Sequence, residues 1–354
     1  MNTKLVKIQA AGDLSSQVKE AAALIREGRL VAFPTETVYG LGADALNEEA
    51  AAKIYAAKGR PSDNPLIAHI WDLSQVNLIA GEVPDAAVKI MERFWPGPLT
   101  IILKKKSIVP DGTTGGLDTV AIRMPSHPVA AALIRESGTV IAAPSANISG
   151  RPSPTTARHV YEDMKGRIPM ILDGGPVGIG IESTIIDMSA GTPVILRPGY
   201  ISLKELSEVA GTVLSDPAIS GRKKPENVVA KAPGMKYRHY APRGQMILVE
   251  GEKDRVISKI RDLVSRKTAE GYRAAVLATD ETIEAYHGCR ADLIKSMGSR
   301  SDPNSIAASL YGVLRDCDAM KADYIFSESF FGEGLGDAIM NRMLKAAAYH
   351  LISV

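Results

Sequence analysis

The chain has 354 residues, of which 45% are apolar and 23% charged, and its formal net charge is +2. That length suffices for two ordinary domains with hydrophobic cores, and the composition is that of a folded protein. No apolar run reaches membrane-spanning length, the slight positive charge does not by itself indicate nucleic-acid binding, and an aromatic content of 5% does not suggest an extended base-stacking platform.

The first residues, MNTKLVKIQAAGDLSSQ, hold no continuous apolar stretch and no signal-peptide layout, so a cytoplasmic protein is expected. Strand-like and helix-like segments then alternate, which predicts an α/β architecture. Residues 14–27 read as a helix, 29–34 (RLVAFP) as a buried strand, 48–57 as a helix, 65–70 as extended and 85–94 as a helix. Strands are predicted at 99–104, 119–124, 139–143, 170–173, 184–188 and 193–197, followed by a helix at 203–210. Residues 215–244 are rich in proline, glycine and basic groups without a clear period, the composition of a linker. Beyond it, strands at 245–250, 273–278 and 324–327 alternate with helices at about 252–267, 303–320 and 335–350, which suggests a small parallel sheet of Rossmann type. The expected organisation is a catalytic domain over 1–214, a linker or lid over 215–244 and a second domain over 245–354. Cys289 and Cys317 are the only cysteines, and their spacing supports neither a zinc site nor a disulfide framework.

The densest polar cluster is 33–44 (FPTETVYGLGAD), where a strand runs into a turn presenting Thr35, Thr37 and Glu36, and where Gly40 and Gly42 would let backbone approach a ligand. A lone TxT would be an ordinary strand-exit turn. Next, 58–69 (KGRPSDNPLIAH) offers Lys58 and Arg60 after a helix, then Asn64 and His69. Strand-end loops are where α/β sheets bind ligands, and Lys and Arg suit a triphosphate, although one cation at a helix C-terminus also meets the helix dipole. Arg123 interrupts an apolar strand, so its charge requires either a salt bridge or an anionic ligand. Residues 142–153 (AAPSANISGRPS) follow a strand with small hydrogen-bonding groups, which fit either an adenylate loop or a helix cap. The glycines of 173–184 run into a strand pattern and so fail the dinucleotide fingerprint, and no P-loop, HExxH or nucleophile triad is present. A site rich in Lys, Arg, Thr, Ser and Asn suits phosphates and a small polar substrate, with no covalent catalyst.

In this order the motifs PTETVYGLG (34–42), KGRPSDNPL (58–66), AIRMP (121–125), PSAN (144–147), ESTIID (182–187) and LRPG (196–199) resemble the YrdC/Sua-type threonylcarbamoyl-AMP synthases. APGMKYRHYAP (232–242) and GLGDAIMNRMLKAA (334–347) resemble the long form with a C-terminal domain. The resemblance implies a twisted YrdC-like open sheet around a basic cavity, followed by a smaller Rossmann-like domain. It implies synthesis of threonylcarbamoyl-AMP from L-threonine, bicarbonate and ATP with release of pyrophosphate, and transfer by a downstream tRNA-modifying complex. By resemblance, Thr35, Thr37, His69, Arg123, Ala143 and Ser183 hold threonine, and Asn64, Thr119, Ser145, Asn147 and Ser153 line the ATP site. The charge built up on the phosphates calls for Lys58, Arg60 and Arg197 with magnesium, whose ligands are not assigned. The aromatic, basic and proline-flanked stretch 232–242 is expected to fold over the site as a lid, with Lys236 and Arg238 reaching the phosphates. Two other readings are a double-stranded RNA or tRNA-binding protein, with weak tRNA contact, and a carbamoyl-phosphate-dependent carbamoyltransferase.

Overall fold

The computed structural model describes residues 1–9, 11–220, 232–233, 235, 239–330, 332 and 334–354. Two units emerge: Met1–Ser149, Ser153–Ile219 and the described part of 227–237 form the first, while Gly150–Pro152, Ser220 and the described part of 238–354 form the second.

The first unit is built on an 11-stranded mixed sheet. Its strands are β1 (Lys4–Lys7), β2 (Val31–Phe33), β3 (Gly40–Asp44), β4 (Ile67–His69), β5 (Leu99–Lys104), β6 (Thr119–Arg123), β7 (Ile141–Ala142), β8 (Met170–Asp173), β9 (Thr184–Asp187), β10 (Val194–Arg197) and β11 (Leu214–Ser215). They lie in the order β1-β8-β2-β3-β7-β4-β6-β5-β9-β10-β11. Because side chains alternate between faces along a strand, neighbouring residues enter different cores. Ala32, Ala68, Ile101, Ile122 and Ile186 join one continuous core with the helices Glu48–Lys58, Asp85–Phe94 and Leu203–Ala210. On the other face, Val31, Phe33, Ile141 and Leu172 pack under the helices Leu14–Arg26 and Pro128–Ser137. That cover stops halfway. Over β4, β5, β6, β9 and β10 the same face carries Ile67, Ile102, Ala121, Ile185 and Leu196, and among the described residues Ala232, Val194 and Met235 pack there.

The predicted helices and strands recur with ends shifted by a few residues, and two differences have local causes. The 40–44 stretch is strand β3, paired antiparallel with β2, rather than part of a turn. A Cβ at Gly42 would stand 2.7 Å from the Phe33 ring and 2.8 Å from Ile141 Cγ2, and one at Gly40 would stand 3.3 Å from the Ala143 Cβ. Gly42 makes room for Phe33 and Ile141, and Gly40 for Ala143 and the Phe33 ring. Ser215, placed at the start of the linker, instead ends β11, which pairs with β10, and the helix Pro217–Ser220 follows.

The second unit is a five-stranded parallel sheet of β12 (Gln245–Glu250), β13 (Ala274–Ala278), β14 (Leu293–Ser296), β15 (Tyr324–Glu328) and β16 (Leu351–Ser353), in the order β14-β13-β15-β12-β16. The wholly buried AAVLA of β13 is the continuous apolar run expected of a strand covered on both faces. The last helix runs Leu335–Ala346 and stops short of residue 350, because Ala348 (φ 49°) and Tyr349 (φ 64°) turn left-handed and feed β16.

Gly42→Ala overpacks Phe33 and is expected to cost about 1–3 kcal/mol of folding stability, read by urea denaturation. Unchanged stability would contradict this account of β3.

Candidate active site

The half-uncovered face of the first sheet places a polar row at one level of the strands. His69 pairs with Arg123 across β4–β6, Arg123 pairs with Thr100 across β6–β5, and Ser183 immediately precedes β9. Register-paired residues share a face, so these side chains stand side by side. Thr100 Oγ1 lies 2.8 Å from Ser183 Oγ. Arg197 Nε donates to the Ser183 carbonyl at 3.0 Å, Nη2 to Ser183 Oγ at 3.1 Å and Nη1 to the Pro233 carbonyl at 3.3 Å.

Arg123 is 4% exposed and sits at the centre of the row. Its Nη1 donates to Thr37 Oγ1 at 2.9 Å, and Nη2 stands 2.7 Å from Glu36 Oε1 in a buried ion pair. That close pair does not meet hydrogen-bond geometry at either atom, so it is held by charge rather than by alignment. Thr35 Oγ1 is 2.9 Å from Thr37 Oγ1 and donates to the Val38 carbonyl, which locks the turn between β2 and β3. Thr35, Thr37, His69, Arg123 and Ser183 therefore converge as expected. Ala143, buried just past β7, is tied to β4 by its amide on the Ile67 carbonyl. Burial, then the neighbouring Arg123 charge, push His69 down to about 3, so the ring is neutral at physiological pH.

The residues expected around ATP form adjoining loops. The amide of Leu41 bonds the Pro144 carbonyl, that of Ala146 the Tyr39 carbonyl, and that of Tyr39 the Pro154 carbonyl. Ser145 Oγ donates to Asn147 Oδ1 at 2.6 Å, and Ser153 Oγ to the buried Glu182 Oε1 at 2.6 Å. Lys58, 1% exposed, ends the helix Glu48–Lys58 and donates to the carbonyls of Ser145 and Asn147. Arg60 donates to the carbonyls of Asn64 and Pro65. Both cations thus shape the loops as well as charging them. Asn64 Oδ1 is buried and accepts no hydrogen bond among the described residues. Thr119 lies at the opposite end of β6 from Arg123. Arg238 and Lys236 lie outside the described residues.

Sequence reasoning passed over Thr100, whose signal was a hydroxyl in the strand LTIILK on the same face as Ile102. It also left Glu36 without a role and missed Glu182, which ties Ser153 to the residue beside Ser183.

Fold and site together define a two-unit α/β enzyme whose polar groups favour anions and a small polar substrate. A family model described as telomere recombination matches residues 23–199, and one described as the threonylcarbamoyl-AMP synthase C-terminal domain matches 201–348. The threonylcarbamoyl-AMP synthase of Bacillus subtilis is 49% identical over 99% of this chain and 100% of its own length. That of Pyrococcus abyssi is also 49% identical, over 96% of each. The solved structure of P. abyssi Sua5 complexed with L-threonine matches with a TM-score of 0.91 at 47% identity, covering 100% of both chains. The chain belongs to the threonylcarbamoyl-AMP synthase family, as its motifs indicate, and is a transferase acting in tRNA modification.

The depressed pKa of His69 has a sign. Between about 3 and 6.5 the unfolded chain binds a proton at His69 that the folded chain refuses, so this residue lowers stability as pH falls through that window. A His69→Asn variant is expected to lose less stability on acidification from pH 6.5 than the parent, measured by thermal unfolding. Parallel curves would show that His69 is not buried neutral.

Proposed function

We propose that the first unit uses the row around Arg123 to bind L-threonine and the adjoining loops to bind ATP, and that it joins them with bicarbonate into L-threonylcarbamoyladenylate. The carrying observation is Arg123, a buried guanidinium on the uncovered face whose fork is met by Glu36 and Thr37. A planar fork matches a carboxylate, so the carboxylate of threonine is a fitting exchange for that of Glu36. The P. abyssi relative was solved with L-threonine.

In the proposed reaction the threonine amine takes up carbon dioxide derived from bicarbonate, forming an N–C bond and a carbamate. A carbamate oxygen then attacks the ATP α-phosphorus, and the bond to pyrophosphate breaks. Neutral His69 adds no positive charge beside the amine. Thr35, Thr37 and Ser183 supply hydroxyls for the side-chain hydroxyl of threonine. Lys58, Arg60 and Arg197 supply the positive potential that accumulating phosphate charge requires. Ser145, Asn147, Ser153, Asn64 and Thr119 are assigned to the nucleotide. Ala232 and Met235 pack on the uncovered face and Pro233 accepts from Arg197, which supports a covering role for this segment in excluding water from the carbamate.

Among the described residues no three His, Cys, Asp or Glu side chains cluster as metal ligands. Asn64 Oδ1, buried and without a hydrogen-bond partner among the described residues, is an oxygen donor of the kind that would hold a magnesium ion beside the nucleotide. Bound so, magnesium would neutralise charge on the leaving pyrophosphate. We assign the product to a downstream threonylcarbamoyl transferase complex, with at most weak direct tRNA contact. Among the described residues no helix is long and apolar enough to cross a membrane, and we place the reaction in the cytoplasm.

The test is pyrophosphate release from ATP and bicarbonate with each amino acid. Threonine is expected to exceed valine strongly, by about 10⁴-fold in the most favourable case, because a site built for a hydroxyl leaves its own polar groups unpaired against the apolar analogue. Equal release with valine would sink the assignment. In calorimetry, Arg123→Ala is expected to weaken threonine binding by about 2–5 kcal/mol with ATP affinity largely kept. Unchanged threonine affinity in a folded variant would remove Arg123 from the substrate site.

A further inference from the structure

The second unit contains a cavity of about 220 Å³ at the carboxyl ends of β12 and β15. Its position follows from the topology. The chain leaves β12 through the helix Lys253–Ala269 and crosses over β15 to reach β13. It leaves β15 through the helix Leu335–Ala346 and crosses over β12 in the opposite direction to reach β16. Right-handed crossovers in opposite directions put these helices on opposite faces, which opens a crevice between the two adjacent strand ends. Such a switch point is where open parallel sheets take ligands.

The lining groups narrow the ligand. Glu328, 1% exposed, accepts from the Tyr286 hydroxyl at 2.8 Å and from Arg300 Nη2 at 2.6 Å, so this pair forms a neutral wall. Of the four other polar residues in the lining, Thr282 is bonded to Thr279, which leaves three. Ser329 is 7% exposed and lines the cavity, yet its hydroxyl has no hydrogen-bond partner among the described residues. Lys253 stands on the β12 side at the first turn of its helix, with no ion pair among the described residues. Glu281 stands on the β13 side, accepting from the Ser299 hydroxyl and the Arg300 amide. Desolvation works to raise the Glu281 pKa, but these hydrogen bonds outweigh it and hold the group near 2, so the carboxylate is charged at any physiological pH.

We propose that this cavity binds a free α-amino acid: carboxylate toward Lys253, Ser329 and the helix N-terminus, ammonium toward Glu281, and side chain against Val249 and Val256. The volume lies below the roughly 300–1,000 Å³ of pockets for drug-sized ligands, so a nucleotide is too large. Inorganic phosphate offers only negative charge, which the Glu281 carboxylate opposes. The inference stands on the second unit alone and does not rest on the chemistry assigned to the first.

The test uses the full chain without ATP, titrated calorimetrically with each of the protein amino acids and with inorganic phosphate. Lys253 and Glu281 are both exposed, so Lys253→Ala and Glu281→Gln are expected to fold as the parent does, checked by circular dichroism. At least one amino acid is expected to bind the parent at about millimolar Kd or tighter. Each of the two substitutions should weaken that binding about tenfold or more, and Arg123→Ala should leave it unchanged. The proposal falls if no amino-acid response depends on both cavity residues, or if phosphate binds there more tightly than any amino acid. A response abolished by Arg123→Ala alone belongs to the first unit, and as the sole response it also overturns the cavity assignment.

Discussion

Arg123 ends a strand that is otherwise apolar, and a guanidinium in such a place is strongly destabilising unless every part of it meets a partner. The fold supplies those partners from distant stretches of chain: Thr37 and Glu36 from the turn after β2, and the Gly97 carbonyl from the turn before β5. Meeting this one requirement draws the turn between β2 and β3 to the end of β6. The same requirement holds Thr37, and through it Thr35, against Arg123, whose charge together with burial keeps the neighbouring His69 neutral. The geometry of the site therefore follows from where a single charge has been buried.

Around that charge the other polar groups constrain one another. Ser183 bridges Thr100 and Arg197, and Arg197 in turn holds the backbone at Pro233. A buried network whose members are mutually satisfied is rigid, while one missing partner would be costly. Rigidity suits the proposed reaction through a carbamate, which needs close placement and dry surroundings more than an acid or a base. Lys58 is used in the same manner. Its contacts to two carbonyls of the 145–147 loop fix the loop's shape, and its charge is placed without a flexible side chain reaching through water.

Much of this was legible in the residues. Segments with strong periodicity, such as 14–26, 99–104 and 303–320, are recognised because tertiary packing and local pattern agree. Arg123 stood out because a charge in an apolar strand requires explanation, Thr37 because it lies in the densest polar turn, and Ser183 through the ESTIID motif of the family that the chain resembles. The rest depended on contacts between distant residues. Gly40 and Gly42 look like a ligand loop until the Phe33 ring is seen to fill the space above them. The short strands β14 and β16 carry little periodicity of their own and exist through pairing with β13 and β12. Glu36 was visible as a carboxylate, but only register could show that it meets Arg123.

The two units handle polar groups by different means, and the difference lies in their sheets. In the first, mixed strand directions leave half a face without helices, so polar side chains can project from the middle of strands and be satisfied among themselves. In the second, an all-parallel sheet carries helices on both faces, which leaves β13 entirely apolar and offers no such face. Polar groups gather at the strand ends, as Glu328, the last residue of β15, and Ser329 just beyond it do. A charge placed in the middle of β13 would have no Glu36 to meet it, whereas Lys295 on the edge strand β14 reaches Asp316. The second unit's chemistry is confined to the crevice by the same burial that keeps the sheet intact.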